Sequence, residues 1–329
     1  MATVSLKDKP LIEALVGESE IFRRAVEKTA LLARSDATVL ISGETGTGKE
    51  LFARAIHYQG PRKDKPFIPV NCGALPDHLF ENELFGHEKG AFTDASSAEK
   101  GLIAEAEGGT LLLDEIDTLS LSAQVKLLRF LQSWEYRPLG CSKSTVADVR
   151  VVAATNADLR QRMELKFLRQ DLYYRLNTLS LSIPSLRERI GDIPCLTSYF
   201  IARYANQNGR PASELSAEVL RALMAYSWPG NVRELECAVQ RAMTLNTSGT
   251  LRWEDFDLPT SLAVEIPEQG SLREAKTKAV AEFERSYLSN LLTTCRGNIT
   301  QAAKAAGKER RSFQRLVRKY GLERHSFQI

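Results

Sequence analysis

The chain has 329 residues, 43% of them hydrophobic and 26% charged, and its formal net charge at pH 7 is +3. This length and composition indicate a globular protein with room for two or three domains. No apolar run is long enough to cross a membrane, and Met1–Pro10 lacks the apolar stretch of a secretory signal. We therefore predict a cytoplasmic protein.

The cysteines and the distribution of charge narrow the class of protein further. The five cysteines are scattered and form no C-x-x-C pair, which favours reduced thiols over a metal site. Residues 271–329 carry 13 Lys and Arg against 5 Asp and Glu, whereas the rest of the chain carries 31 against 36. A basic segment on a mildly acidic body is typical of a nucleic-acid-binding module, although a solvated basic surface gives the same balance.

The first predicted elements are a strand, a glycine-rich loop and a helix. Thr38–Ile41 is a short apolar run, and apolar residues at helical spacing follow the loop. This is the context of a phosphate-binding loop, whose glycines let N–H groups point at a polyphosphate and whose lysine reaches the outer phosphates. The last position normally holds Ser or Thr for Mg²⁺, and here it is Glu50. The predicted nucleotide-binding residues are Gly43, Glu44, Thr45, Gly46, Thr47, Gly48, Lys49 and Glu50.

Four more apolar runs predict a sheet. They cover residues 67–70, 110–113, 149–154 and, more weakly, 179–183, with helical segments between most of them. The predicted fold class is therefore α/β, with a parallel sheet between helices. In such sheets ligands bind beyond the carboxyl ends of the strands. We expect the polar residues at these ends to meet at the phosphate loop.

Asp114, at one such end, is placed to bind Mg²⁺ directly or through water, and Glu115 could orient and deprotonate a water. Asn71 follows one predicted strand and Thr155 and Asn156 follow another, and Thr155 and Asn156 could hydrogen-bond the γ-phosphate or that water. A helix N-cap with a first-turn carboxylate and an Asn-containing turn are the structural alternatives.

The remaining pattern is helical. Residues 184–248 read as a small helical subdomain, and Pro and Gly at 252–270 indicate a linker. The predicted domains are an ATPase subdomain at 1–183, whose residues 1–15 are a short tail, a helical lid at 184–250, a linker at 251–270 and an all-α domain at 271–329. Arg169, Arg175 and Arg233 are candidates for arginines that meet the charge of phosphoryl transfer, although spacing alone also suits ordinary surface arginines.

The last domain contains a predicted helix–turn–helix. A short helix rich in small residues ends near Gly307, and the next helix buries Phe313 and its i+3, i+4 and i+7 neighbours. A basic second helix is a DNA-reading arrangement, although a generic three-helix interaction module is the alternative. The predicted base contacts are Arg310, Arg311, Ser312, Gln314 and Arg315, and the predicted phosphate contacts are Arg318 and Lys319.

These motifs resemble those of the bacterial enhancer-binding proteins, the AAA+ activators of sigma-54 RNA polymerase. The shared Gly90-Ala91-Phe92-Thr93 string is rare, and the C-terminal segment resembles a Fis-type domain. The resemblance covers most of the chain from about Val16 to Leu245, and this family's loop also ends in Glu. The matching segments are residues 43–50, 70–75, 83–93, 108–116, 152–156, 171–177, 186–189 and 228–235.

The resemblance implies specific roles. Lys49 and Asp114 would hold Mg-ATP, and Glu115 would prime the water, with Asn71 as the switch that holds Glu115 back. Thr155 and Asn156 resemble the first sensor and Arg233 the second. Arg169 and Arg175 match the family's candidate arginine fingers, which implies a hexameric ring if they act on a neighbouring subunit. The C-terminal domain implies dimers on a two-fold symmetric upstream DNA site.

The resemblance further implies that Phe92 and Thr93, in the Gly90–Ala95 loop, contact sigma-54. The family has Gly where this chain has Asp94, which adds charge and tolerates positive φ less readily. A DNA-binding regulator that no longer engages sigma-54, with nucleotide controlling only its oligomerisation, is therefore the alternative function. A helicase or unfoldase fits the phosphate loop alone.

Only about fifteen residues precede the ATPase, too few for a receiver or sensor domain. This short N-terminal segment is compatible with three alternatives. They are regulation by a separate protein, regulation by oligomerisation, and a truncated chain.

Overall fold

The computed structural model describes residues 15–74, 77–91, 97–209, 211–246, 249–258 and 298–320, together with 281, 284, 287–288, 291–292 and 295. The chain forms two compact units, Met1–Pro259 and Thr260–Ile329. In the described residues, no helix is long and apolar enough to span a membrane.

The strands fall into one five-stranded sheet and three short two-stranded ladders. They are β1 Val39–Ser42, β2 Phe67–Asn71, β3 Gly86–His87, β4 Glu99–Lys100, β5 Thr110–Asp114, β6 Glu135–Tyr136, β7 Thr145–Val146, β8 Arg150–Thr155, β9 Leu179–Ser182, β10 Glu214–Leu215 and β11 Thr250–Leu251.

The helices of the first unit flank the main sheet and build the lid. They are α1 Glu20–Ala33, α2 Lys49–Tyr58, α3 Asp77–Phe85, α4 Leu102–Glu105, α5 Leu121–Ser133, α6 Leu159–Glu164, α7 Gln170–Leu176, α8 Ile193–Asn208, α9 Ala217–Ala225 and α10 Asn231–Leu245, with 3-10 turns at Ile116–Thr118, Leu186–Glu188, Ile190–Asp192 and Trp253–Phe256.

The main sheet is entirely parallel, in the order β2-β5-β8-β1-β9. Successive residues of a strand face opposite sides: Leu111 and Leu113 join one hydrophobic core, and Leu112 joins the other. Both faces are therefore covered by helices, which is why the inner strands β5, β8 and β1 are nearly continuous apolar runs in the sequence. The predicted α/β fold is confirmed, and the weakly apolar run at 179–183 is the edge strand β9.

The helical lid packs around a core of its own. Trp228 is fully buried there, with Leu186, Phe200, Leu235 and Val239 around it. Residues 251–258 differ from the predicted linker, because Leu251 (1% exposed) and Phe256 (0%) insert into this core. Leu251 pairs with Leu215 in the ladder β10–β11, and Trp253–Phe256 is a 3-10 turn, so the segment has no helical period in the sequence.

The second unit has a small core around two helices, α11 (Ile299–Ala305) and α12 (Arg310–Lys319). Asn298 caps α11, accepting the N–H groups of Thr300 and Gln301 through its side chain. Gly307, between the helices, has φ 62° and allows the turn. Phe313 and Val317 are buried against Leu288, Leu292, Ala302 and Ala303.

Candidate active site

The loop between β1 and α2 is a cradle of backbone N–H groups. Gly46 (φ 79°) and Gly48 (φ 97°) adopt left-handed conformations that cost little only for glycine. In the described part of the chain, no hydrogen bond uses the amide N–H groups of Gly46, Gly48, Lys49 or Glu50. These groups lie where α2 begins, and the helix dipole favours an anion there. The loop therefore fits a polyphosphate.

The Lys49 side chain lies inside this loop and is only 9% exposed. Its Nζ donates to the carbonyl oxygens of Gly43 (2.9 Å) and Glu44 (3.1 Å). Burial lowers the pKa of Lys49, and nearby carboxylates, Asp114 first among them, oppose that effect. An ammonium group held only by carbonyls can exchange them for phosphate oxygens, which bind it more strongly.

Four strand ends meet at one edge of the sheet. Asn71 on β2 is the register partner of Asp114 on β5, and Ser42, just before the loop, pairs with Thr155 on β8. The amide of Gly43 then donates to the carbonyl oxygen of Thr155 (3.2 Å). The structure thus brings the predicted loop, the acidic strand end and Thr155 together.

Glu115 has a strained backbone. Its φ of 55° is left-handed, which is uncommon for a residue with a side chain. This conformation turns its carboxylate toward Gly73, where an added Cβ would lie 2.6 Å from Oε2. Asn71 Oδ1 accepts the amides of Gly73 (2.8 Å) and Ala74 (3.1 Å), and no hydrogen bond in the described residues joins Asn71 to Glu115.

Thr155 and Asn156 differ in what they contact. Asn156 Nδ2 donates to Thr45 Oγ1 of the phosphate loop (3.1 Å). The hydroxyl of Thr155, which is buried, donates instead to Asp117 Oδ1 (2.6 Å). Asp117 was not among the predicted site residues. The only sequence signal for it is a second acid two positions after Glu115.

The lid contacts the phosphate loop through a buried asparagine. Asn231 is fully buried, and its Nδ2 donates to Glu44 Oε2 (3.2 Å) and to the carbonyl of Thr45 (3.0 Å). Its Oδ1 accepts the amide of Leu186 (2.8 Å). Arg187 donates to both carboxylate oxygens of Glu44. We call Glu44, Arg187 and Asn231 the lid clamp.

Backbone contacts reinforce the lid clamp. The amide of Arg233 donates to the carbonyl of Gly46 (3.2 Å), and a Cβ at Gly46 would overlap the carbonyl of Gly230. The guanidinium of Arg233 is exposed, and its charge acts on Lys49. The predicted second sensor therefore lies beside the loop.

The lid clamp predicts a pH dependence of stability. Hydrogen bonds from Arg187 and Asn231 lower the pKa of Glu44 from 4.5 to about 2. A lowered folded-state pKa stabilises the fold above pH 4.5, and the contribution disappears as the pH falls from 4.5 to 2. We expect wild type to exceed Glu44→Gln in free energy of unfolding at pH 7 by a small margin, because the carboxylate is 42% exposed and screened.

Chemical denaturation at pH 7, 4 and 2 measures this difference, with Glu27→Gln, an exposed glutamate on α1, as the control. A difference that stays constant down to pH 2 would contradict the assignment.

The structure does not bring Arg169 and Arg175 to the phosphate loop of their own chain. Within the described ranges, no hydrogen bond or ion pair joins either arginine to that loop. Arg169 pairs with Asp171 through Nε (3.1 Å) and a terminal nitrogen (2.7 Å), which lowers the pKa of Asp171. Arg175 Nε donates to the carbonyl of Leu131 (2.7 Å). Arg169 lines an open cleft of about 780 Å³ beside Tyr174.

The second unit presents the predicted DNA-contact residues on one helix. Ser312 and Gln314 are half-buried, and Lys319 Nζ donates to Tyr320 Oη (2.9 Å). The exposed basic residues of α12 are Arg310, Arg311, Arg315, Arg318 and Lys319.

The predicted sigma-54 contacts Phe92 and Thr93, with Asp94, lie outside the described residues. On either side of them, β3 and β4 pair antiparallel through Gly86↔Lys100 and His87↔Glu99.

Comparisons with known proteins agree with this architecture. The family model for the sigma-54 interaction domain matches residues 15–182, and the model for the AAA+ ATPase lid domain matches residues 187–274. The first match ends at the last residue of β9, and the second begins within the 3-10 turn that opens the lid.

The chain is also similar to curated regulators and to solved structures. It is 43% identical to the transcriptional regulatory protein GlrR of Escherichia coli over 96% of this chain and 70% of that protein. It is 42% identical to the response regulator protein PilR of Pseudomonas aeruginosa, over 96% and 72%. The crystal structure of NtrX from Brucella abortus in complex with ATP aligns with a TM-score of 0.69 at 30% identity, covering 96% of this chain and 73% of NtrX.

Proposed function

Because the chain belongs to the family of proteins with a sigma-54 interaction domain, we propose that it is an ATP-hydrolysing activator that remodels sigma-54 RNA polymerase. By fold it is an AAA+ P-loop NTPase with a helical lid. The observation that carries the proposal is the meeting of a phosphate cradle, the Asp114-Glu115 strand end and the lid at one edge of the sheet.

In this proposal the loop residues 43–50 bind ATP, and the solved complex of the similar protein NtrX with ATP supports that ligand. Asp114 would hold Mg²⁺, whose bound charge neutralises the phosphate oxygens and supports loss of the γ-phosphate. Glu115 would take a proton from the attacking water, and Asn71 would act as its switch. Asn156 is a better candidate than Thr155 for sensing the γ-phosphate directly, because Thr155 is already paired with Asp117.

We propose domain boundaries close to those expected from the sequence. The ATPase subdomain runs to 183, and the buried Leu251 and Phe256 support a lid that extends to 258 rather than 250. The linker would then span 259–270, and residues 271–329 would form the Fis-type DNA-binding domain. A protein acting on bacterial promoters works in the cytoplasm, so the proposal includes that location.

The proposed assembly is a ring. Arg169 and Arg175 cannot serve the phosphate loop of their own chain without leaving the positions described above. If they act as arginine fingers, the site that they complete belongs to a neighbouring copy, as in the family's hexamers. A separate protein that controls this assembly remains part of the proposal.

The DNA-binding part of the proposal makes its own prediction. Gln314→Ala should weaken binding to the specific upstream site by about 1–3 kcal/mol, because it removes a base contact. Arg318→Ala should weaken binding to every sequence alike and lower the slope of log affinity against log salt by about one. Fluorescence anisotropy with specific and scrambled duplexes checks both, with Gln301→Ala on α11 as the control. Equal losses on both duplexes for Gln314→Ala would contradict its role.

The decisive experiment measures ATP-dependent open-complex formation by sigma-54 polymerase at a promoter with the upstream site. Wild type is expected to open the promoter. Activity only in Asp94→Gly would favour the alternative, a DNA-binding regulator that no longer engages sigma-54. No opening by either protein, despite ATP hydrolysis and DNA binding, would overturn the proposal.

A further inference from the structure

A buried glutamine on α5 holds the segment that carries Arg169. We propose that Gln124 is a positioning residue that sets the direction of the Arg169 finger toward the ATP site of a neighbouring copy. This inference rests on the proposed function, in which Arg169 acts between subunits. The observation behind it is a set of hydrogen bonds between two elements that are about forty residues apart in the sequence.

Every polar group of the Gln124 side chain is used. Its Nε2 donates to the carbonyls of Leu119 (2.9 Å) and Phe167 (2.8 Å), and its Oε1 accepts the amide of Arg169 (2.9 Å). The residue is 0% exposed. A primary amide has two donors, and both are occupied here. Replacing it with an apolar residue would leave those backbone groups without their partner in a dry environment.

The bonds fall on both sides of a single anchored residue. Leu168 is 3% exposed and packs into the core, whereas Phe167 is 57% exposed. Gln124 therefore fixes the backbone just before and just after the point where the segment enters the core. Arg169 is the N-cap of α7, so its backbone angles determine where its side chain leaves the surface. Its guanidinium reaches Asp171 and the open cleft from there.

Helix α5 also anchors the other candidate finger. Arg175 Nε donates to the carbonyl of Leu131, which lies seven residues after Gln124, two turns further along the same face of α5. The helix begins at Leu121, and a single 3-10 turn, Ile116–Thr118, separates it from Glu115. Helix α5 and the short segment before it thus connect the proposed base of a subunit's own site to the arginines offered to the next subunit.

The first test is kinetic. Gln124→Met keeps the length of the side chain and loses its hydrogen bonds. We expect kcat for ATP hydrolysis to fall about 100-fold, because a displacement of about 1 Å costs that much. The dissociation constant of ATP, measured for the Gln124→Met variant with no second substitution, should equal that of wild type. Gln132→Met, an exposed glutamine on the same helix, is the matched control and should keep wild-type kcat.

The second test mixes inactive variants and asks which pairs recover. Gln124→Met mixed with Glu115→Gln should regain hydrolysis, because Glu115→Gln subunits offer a well-placed Arg169 to the intact sites of Gln124→Met subunits. Gln124→Met mixed with Arg169→Ala should stay inactive, because neither subunit offers a working finger. A residue that acts only on its own site predicts the opposite pattern. Recovery with Arg169→Ala, or recovery with neither partner, would overturn the proposal.

Two further measurements separate this inference from the function on which it rests. Recovery in the mixture of Glu115→Gln and Arg169→Ala reports whether fingers act between subunits at all, and its failure counts against the proposed ring instead. If Gln124→Met fails to fold, as judged by thermal unfolding, Gln124→Asn replaces it. That variant adds no charge and keeps the amide group, but it withdraws the amide by one methylene from Phe167 and Arg169, so its kcat should lie between those of wild type and Arg169→Ala.

Discussion

Glu115→Gln is expected to lower the rate of ATP hydrolysis by about 10²–10⁴-fold, the usual contribution of a general base. The change keeps the shape of the side chain and removes its negative charge and its ability to accept a proton. Because the phosphate loop and Lys49 are untouched, ATP should still bind with near wild-type affinity. A coupled assay of phosphate release and a fluorescent-nucleotide titration measure the two quantities separately.

The control for this variant is Glu218→Gln, an exposed glutamate in the first turn of α9. It changes charge by the same amount at a distance from the site and should hydrolyse ATP at the wild-type rate. A Glu115→Gln protein that retained more than about a tenth of wild-type turnover would remove Glu115 from the base role. Sigma-54-dependent promoter opening should be lost together with hydrolysis. Opening that proceeded equally well in this variant would show that hydrolysis does not drive it.

Trp228→Ala should cost about 3–5 kcal/mol of lid stability, as large aromatic deletions in cores do. Trp228 is 0% exposed, its Nε1 donates to the carbonyl of Leu223 (2.8 Å), and its ring meets Tyr226 edge-on at 5.0 Å. The variant creates a cavity and orphans that carbonyl. Trp228 also directly precedes the Pro229–Asn231 turn that contacts the phosphate loop, so nucleotide affinity should fall as well.

Chemical denaturation followed by circular dichroism measures the stability loss, and Trp253→Ala provides the comparison. Trp253 lies at the edge of the same lid core and is only partly buried. Trp253→Ala should therefore lower the free energy of unfolding clearly less than Trp228→Ala does. Equal losses for the two tryptophans would show that Trp228 does not anchor the lid.

Local patterns were sufficient to predict the sheet and the edge of it at which the candidate site lies. The three inner strands β5, β8 and β1 are nearly continuous apolar runs because both of their faces are buried, and polar residues stand where these runs stop. The phosphate loop needed no tertiary information, because its glycines and the following helix are adjacent in sequence. The same holds for α11 and α12, whose buried residues repeat at helical spacing.

Long-range polar contacts were not predictable in this way. Thr155 looked like a phosphate ligand, and only the structure shows that its hydroxyl is taken by Asp117, 38 residues away. The pairing of Glu44 with Arg187 spans 143 residues and leaves no local mark. Gln124 gave no signal in the sequence beyond that of an ordinary helix residue, because no residue near it in the sequence indicates its contacts with Phe167 and Arg169.

The turn before α10 shows that some local backbone conformations were not predictable from the sequence either. Pro229, Gly230 and Asn231 indicated a break in the helical pattern, and α10 begins where the break ends. The sequence did not indicate that Trp228 (φ 49°) and Asn231 (φ 53°) would both adopt left-handed backbone conformations. Burial of the Trp228 ring and the hydrogen bonds of Asn231 hold these conformations in place, and both depend on the assembled lid.

The lid clamp has a consequence for how substitutions combine. Arg187 and Asn231 come from different parts of the lid and bind the same carboxylate. Removing either one leaves Glu44 with a weaker set of partners, so the second removal acts on a changed site. Their energetic effects should therefore be non-additive, and a double-mutant cycle would show an interaction term. Natural exchanges at these positions would be tolerated together more readily than singly, so the three residues should change as a group.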